Sequence, residues 1–191
     1  MAKQIQLTEQ QRAEKYTSAR HELEQDAEDS SQYLTFRLKG ELYAFGILNV
    51  KEILEYGNVT PVPMMPDFIQ GVINLRGEVV PVINLARRFE MTPQAITKRT
   101  CVIIIEVEND GLHQDLGVMV DVVSEVLEIP GSDMRSTPGF GARIRTDFIR
   151  NMGKLGDDFV IILDEDRVLS IDELAMVSEM GHQLPSPGNA T

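Results

Sequence analysis

Apolar residues recur at every second position near the start of the folded part of the chain, as in a strand with one buried face. Leu34, Phe36 and Leu38 follow this spacing, which fits a strand because successive side chains there point to opposite faces. The segment 39–41 (Lys-Gly-Glu) interrupts the pattern, and residues 42–47 resume it. We therefore predict a β-hairpin.

Short apolar runs continue along the chain, and most are separated by Gly, Pro, Asn or Asp. Many short strands at such spacing predict an all-β sandwich or barrels. The runs cover residues 72–75, 79–85, 101–107, 116–120, 122–129, 148–155 and 159–163.

Helices are predicted to be few and short. Asn49 can cap a helix over residues 50–55, with Glu52 at its third position, and Ser170 can cap a helix over 171–178. In both places a glutamate three residues after the cap fits a capping box.

The sequence of residues 75–84 is weakly echoed by that of residues 155–164. Two similar small units would explain such an echo, and we place them near 33–100 and 101–170. Together they form a domain over residues 33–174.

The two ends of the chain differ in composition from this domain. Residues 1–32 carry four basic and seven acidic side chains and almost no large apolar ones. Such a segment buries too little surface to offset its ordering entropy, so we predict an acidic flexible tail. Residues 175–191 are predicted to hold the end of a helix and a second flexible tail, because two prolines and no periodicity mark the stretch from Gly181.

The charge of the chain limits its partners and its location. Its 191 residues include 18 Lys and Arg against 30 Asp and Glu, a formal net charge of −12, so we expect no nucleic-acid partner. The longest uninterrupted apolar runs hold five residues, whereas a spanning helix needs about 20. The first 32 residues lack the apolar stretch of a secretory signal. We expect a cytoplasmic protein without direct membrane insertion.

The motifs do not indicate an enzyme. His21, His113 and His182 lie in three separate segments, and Cys101 is the single cysteine, so neither a metal site nor a disulfide within the chain is expected. Signatures of serine nucleophiles and phosphate-binding loops are missing. Acidic residues beside the run 159–163 are interpreted as turn residues. We predict no catalytic residues, no metal and no cofactor.

One block of the sequence resembles a known family. Residues 71–77 read Gly-Val-Ile-Asn-Leu-Arg-Gly, and residues 80–85 read Val-Pro-Val-Ile-Asn-Leu. This pairing closely resembles the hallmark of the CheW family of bacterial chemotaxis coupling proteins. The resemblance extends over about residues 33–174 and includes the segments 43–45, 50–53, 117–123 and 153–157.

The resemblance implies a mainly β fold of two small five-stranded SH3-like β-barrel subdomains packed together, with a few short helices. It also implies a non-enzymatic adaptor that couples the cytoplasmic tips of methyl-accepting chemoreceptors to the regulatory domain of the histidine kinase CheA. A same-fold adaptor in a non-flagellar chemosensory pathway is the alternative. A small-ligand barrel is a third hypothesis, which no convergent polar cluster supports.

The same resemblance assigns receptor-binding residues. Val50, Ile53 and Gly71 are expected to line a groove for a receptor helix, and Glu52 and Arg76 to form an ion pair that shapes it. The competing interpretations are helix packing for Val50 and Ile53, a backbone requirement for Gly71, a capping role for Glu52 and a solvated side chain for Arg76.

Kinase-binding residues are expected in a separate loop. The segment 134–141 matches a contact loop of the family, which nominates Arg135 and Phe140. Arginine and exposed aromatic residues are over-represented in protein interfaces. The competing interpretation is a Phe140 ring folded back onto the barrel.

Overall fold

The structure, a computed structural model, describes residues 30–109, 111–138 and 144–168. Within them lie two one-turn α-helices, α1 (Leu85–Arg88) and α2 (Glu165–Val168), and 3-10 turns at Ile47–Asn49, Gly131–Asp133 and Thr146–Phe148. No helix of the described residues is long and apolar enough to cross a membrane. The strands are β1 (Ser31–Leu38), β2 (Glu41–Gly46), β3 (Val50–Glu55), β4 (Ile69–Leu75), β5 (Glu78–Asn84), β6 (Cys101–Asn109), β7 (Leu112–Val120), β8 (Val122–Ile129), β9 (Met134–Arg135), β10 (Ile149–Leu155) and β11 (Asp158–Leu163).

The first two strands form the hairpin that the alternating pattern predicts. β1 and β2 are antiparallel, and Leu38 pairs with Glu41 across the turn. The two turn residues, Lys39 and Gly40, have φ angles of 50° and 86°. Positive φ at both positions is the geometry of a type I′ turn, whose twist matches that of the flanking strands. The predicted hairpin is confirmed.

The strands form two sheets, which confirms a mainly β fold with a few short helices. One sheet has six strands in the order β8-β1-β2-β11-β10-β9, and the other has five in the order β3-β6-β7-β5-β4. Neither order returns to its first strand, so no closed barrel is present in the described residues. An isolated bridge between Thr60 and Val72 joins the segment that follows β3 to the edge strand β4.

Both sheets repeat one strand arrangement. β5 runs parallel to β7 in the five-stranded sheet, and β11 runs parallel to β2 in the six-stranded sheet. β5 forms an antiparallel hairpin with β4, and β11 forms one with β10. A one-turn helix follows both β5 and β11. The sequence echo of 75–84 in 155–164 falls on these two corresponding hairpins.

Two sequence-based predictions are corrected by the strand pairing. Residues 50–55 are not a helix but strand β3, because Glu52–Glu55 pair with consecutive residues of β6, so Glu52 is not a capping residue. The sheets also do not divide the chain near residues 100 and 101. The five-stranded sheet takes its strands from residues 50–120, and the six-stranded sheet takes its strands from both sides of that segment.

Three clusters of apolar side chains form the core of the described residues. Two smaller clusters each draw on a single sheet. The largest, which we call the central cluster, lies where the two sheets meet. Its buried members include Phe36, Tyr43 and Phe45 from the six-stranded sheet and Ile83, Ile103 and Ile105 from the five-stranded sheet.

Arg88 of α1 adds a polar contact between the two halves of the fold. Its guanidinium carbon lies 4.9 Å from the centre of the Phe68 ring and 4.8 Å from that of Phe148. Arg88 Nε also donates a hydrogen bond of 2.6 Å to the carbonyl oxygen of Val168. Cation–π contacts and this hydrogen bond hold α1 against α2 and fix the two sheets relative to each other.

Several predictions concern parts of the chain outside the described residues. These are the tail 1–32 up to residue 29, the helix over 171–178, the tail 175–191 and Phe140.

Candidate functional site

Strand β3 lies at one edge of the five-stranded sheet and exposes apolar surface. Ile53 pairs with Ile103 and Val50 with Ile105, so both side chains lie on the face of the central cluster. Val50 packs against that cluster, whereas Ile53 lies farther out and is 43% exposed. An edge strand also has backbone groups that no neighbouring strand pairs. The structure therefore places the predicted Val50 and Ile53 together on an accessible edge.

A register shift in β3 determines where its charged residues lie. The shift occurs between Val50 and Glu52, and a bulge of this kind re-aims the side chains around it. Lys51 Nζ lies 2.6 Å from Asp115 Oδ1 and 2.7 Å from Glu106 Oε2. Hydrogen bonds to Asp115 and then Glu106 raise the pKa of Lys51, and the hydrogen bond from Lys51 lowers the pKa of Glu106. Ion pairs thus connect the N-terminal end of β3 to β6 and β7.

Glu52 and Arg76 form an ion pair with two contacts. Arg76 Nη1 lies 3.2 Å from Glu52 Oε1, and Arg76 Nη2 donates a hydrogen bond of 3.2 Å to Glu52 Oε2. Arg76 lies in the turn between β4 and β5, at the opposite edge of the sheet from β3. Its side chain is 79% exposed, so the pair adds little stability. Its two-point geometry instead fixes where β3 lies relative to β4.

Gly71 has a structural reason to be glycine. Its φ is +150°, and a Cβ atom there would lie 2.3 Å from the carbonyl oxygen of Thr60. That close approach permits the bridge in which Thr60 and Val72 exchange backbone hydrogen bonds of 2.8 and 2.9 Å. Gly71 is itself buried. It therefore maintains the bridge between β4 and the segment that follows β3.

Arg135 lies away from these residues, in the two-residue strand β9 of the six-stranded sheet. It pairs with Met152, and its exposed side chain donates hydrogen bonds of 2.6 Å to Ser132 O and 2.8 Å to Met134 O. Phe140, the other predicted kinase-binding residue, lies outside the described residues. The described structure therefore locates one member of this pair.

The sequence does not single out two residues with clear roles in the structure, Leu48 and Arg88. Leu48, in the 3-10 turn just before β3, is 97% exposed. Its position two residues before Val50 is the sequence feature that could have indicated a place in the same apolar surface. Arg88 was missed because nothing in the sequence shows that it will lie between two aromatic rings. Within the described residues no group of three or more His, Cys, Asp or Glu side chains is placed to hold a metal ion.

The fold and the site together define a class of protein: a β scaffold that presents an apolar edge strand braced by ion pairs. Residues 32–173 match the family model of the CheW-like domain. The chain therefore belongs to the CheW family, and it is a chemotaxis coupling scaffold, not an enzyme.

Individual relatives agree with this assignment. The chain is 36% identical over 149 residues to the chemotaxis protein CheW of Klebsiella aerogenes, covering 78% of this chain and 87% of that one. It is 29% identical over 157 residues to the chemotaxis protein CheW of Treponema pallidum, covering 80% and 90%. The crystal structure of the scaffolding protein TtCheW from Thermoanaerobacter tengcongensis superposes with a TM-score of 0.68 at 32% identity, covering 75% of this chain and 90% of that one.

Proposed function

We propose that this scaffold binds the cytoplasmic tip of a methyl-accepting chemoreceptor at the β3 edge and the regulatory domain of a CheA-type histidine kinase at the β9 end. The observation that carries the proposal is the exposed Ile53 on an edge strand whose position the Glu52–Arg76 pair fixes. The protein acts in the cytoplasm and reaches the membrane only through receptor arrays.

The β3 edge has the features that a receptor helix requires. Amphipathic helices dock by placing an apolar face into an apolar groove, and Val50, Ile53 and the neighbouring Leu48 supply apolar surface along one short segment. Because this edge belongs to a packed sheet, docking does not require the scaffold to order a loop.

The kinase site lies on the other sheet, which permits both partners to bind at once. Arg135 is in an edge strand of the six-stranded sheet, whereas Ile53 is in an edge strand of the five-stranded sheet. Arg135 and Phe140 are the residues we assign to kinase contact. The alternative role in a non-flagellar pathway is not favoured, because the relatives at 36% and 29% identity, which cover 78% and 80% of this chain, are chemotaxis proteins.

Calorimetry with a receptor cytoplasmic fragment and a kinase regulatory domain tests the proposal. We expect both to bind the full chain, and each to bind in the presence of the other. Ile53→Asp should weaken receptor binding at least about tenfold, since burying a charge in an apolar contact is unfavourable, and should leave kinase affinity unchanged.

A matched control is Phe159→Asp, because Phe159 is also a half-exposed strand residue, at 48% exposure, but lies on β11 of the other sheet. It should leave receptor affinity unchanged. A folded protein that binds neither partner, or equal losses of receptor affinity in both variants, would contradict the proposal.

A further inference from the structure

Two adjacent cations, Lys98 and Arg99, lie in a tight turn just before β6. The backbone of Thr100 donates to Thr97 O at 3.2 Å, and the backbone of Thr97 donates to Thr100 Oγ1 at 2.9 Å. The backbone of Arg99 donates in turn to Thr97 Oγ1 at 3.1 Å. These bonds hold the turn in one conformation, and both cationic residues are exposed on it.

Neither of these side chains has a partner in the described part of the chain. Lys51, Arg76 and Arg150 each contact at least one carboxylate, whereas no hydrogen bond or ion pair involves the side chain of Lys98 or Arg99. Among the described residues they are the two neighbouring cations left without a contact. The chain has a net charge of −12, so acidic side chains outnumber basic ones. Two adjacent cations that contact no acidic residue are therefore a distinctive feature of this turn.

The basic pair lies at the end of the proposed receptor-binding edge. Cys101 pairs with Glu55 and Ile103 with Ile53, so Cys101 continues the face on which Ile53 lies. Tyr56 N donates to Thr100 O at 3.0 Å, and Cys101 Sγ lies 3.2 Å from Arg99 O. Arg99 is four residues before Ile103 on the chain, which at a rise of about 3.3 Å per extended residue corresponds to a separation of at most roughly 13 Å.

We infer that Lys98 and Arg99 bind carboxylates of the receptor helix that docks on β3. This inference rests on the proposed function and adds the chemistry of the partner: an amphipathic helix with an acidic residue within about two to three turns of its apolar contact with Ile53, since a helical turn advances about 5.4 Å. Charge complementarity of this kind selects partners and orients them more than it adds affinity.

Glu55 sets the register of this contact. It is exposed, and it pairs with Cys101 between Ile53 and the basic turn. An acidic residue of the helix is therefore repelled when it lies opposite Glu55. It is attracted when it lies farther from Ile53, opposite Lys98 and Arg99. A helix with the reverse charge order is disfavoured at both positions.

The test compares two double charge reversals of equal net charge. The first is Lys98→Glu with Arg99→Glu. The control is Lys39→Glu with Lys154→Glu. Both of these lysines are exposed, and their side chains also lack partners among the described residues, but they lie in other hairpins. Affinity for a receptor cytoplasmic fragment is measured by calorimetry at about 50 and 500 mM salt, a range over which exposed charges become largely screened.

At low salt we expect the first variant to bind the fragment five- to twentyfold more weakly than the unmodified chain, and the control to bind within twofold of it. The difference between the first variant and the unmodified chain should shrink at high salt. Replacing single acidic residues of the fragment by Lys should restore binding to the first variant at one position. Glu55→Gln should strengthen binding at low salt.

The possible results separate this inference from the proposed function. If Ile53→Asp weakens binding at least about tenfold while the Lys98 and Arg99 variant binds as the control does, the inference is overturned and the proposed function stands. If the unmodified chain does not bind the fragment at all, both fail. The neutral variant Lys98→Gln with Arg99→Gln removes the positive charges without introducing carboxylates. Its loss of affinity, on a logarithmic scale, should be about half that of the charge reversal.

Discussion

Arg76 holds the carboxylate of Glu52 by both of its terminal nitrogens, at 3.2 Å each, and so connects opposite edges of a five-stranded sheet. The contact is exposed at the arginine end, which limits its contribution to the free energy of unfolding. Its effect is on position, because β3 carries the apolar residues of the proposed receptor site.

Arg76→Ala should therefore change function more than stability. We expect a loss of less than about 1 kcal/mol in the free energy of unfolding, with weaker receptor-dependent control of the kinase because β3 is no longer held. Urea denaturation and a reconstituted kinase assay measure the two effects. Exchanging the charges, with Glu52→Arg and Arg76→Glu together, should recover part of the control, and unchanged kinase control in Arg76→Ala would refute the positioning role.

Gly71→Ala should destabilise the fold. A methyl group at Gly71 would lie against the Thr60 carbonyl, at a φ that L residues rarely adopt, so we expect a loss of about 2–4 kcal/mol. Gly57→Ala is the matched control, because nothing lies within 4 Å of a Cβ there. Its stability in thermal denaturation should stay close to that of the unmodified chain. Equal stability of the two variants would contradict the role given to the Thr60–Val72 bridge.

Glu165 should be more important for stability than the exposed ion pairs. Its side chain is 1% exposed, and it accepts hydrogen bonds from Gly46 N at 2.8 Å and Arg150 Nη2 at 3.0 Å. Glu165→Ala leaves the half-buried Gly46 N–H without its acceptor, which should cost about 2 kcal/mol. Glu165→Gln retains an acceptor oxygen for Gly46, so urea denaturation should show a clearly smaller loss. A larger loss for Gln than for Ala would show that the Gly46 contact is unimportant.

The contact between Lys51 and Glu106 predicts a pH effect with a definite sign. Lys51 lowers the pKa of Glu106 below its usual 4.5, so the contact favours the folded state above that value and is lost as pH falls through the lowered pKa. NMR titration should show this depressed pKa, and Lys51→Met should return it toward 4.5. Lys154→Met, which alters a cation with no carboxylate contact, should leave the Glu106 titration unchanged.

Strand β3 shows why part of the fold was missed from the sequence. Val50 and Ile53 lie three residues apart but on the same face, because the register shift between Val50 and Glu52 adds a residue to the strand. A bulge thus converts the two-residue period of a strand into spacing that also fits a helix. The pairing of β3 with β6 makes this segment a strand and not a helix. Local periodicity could not reveal that pairing.

The hairpins were predictable because their signals are local. The turn Lys39-Gly40 and the alternating residues beside it belong to one short segment. The Glu52–Arg76 contact was anticipated from family resemblance alone, since 24 residues separate the pair. The unpaired state of Lys98 and Arg99 depends on what lies around them in space, and no sequence pattern carries that information.

The interleaving of the two sheets has a consequence for synthesis of the chain. The β1–β2 hairpin leaves the ribosome before the other described strands, yet its neighbours β8 and β11 begin at residues 122 and 158. The five-stranded sheet, by contrast, is encoded without interruption between residues 50 and 120. The five-stranded sheet can therefore assemble while the apolar face of the β1–β2 hairpin is still exposed. We expect the slow step of folding to be the pairing of this hairpin with β8 and β11, because that pairing joins residues far apart in the chain.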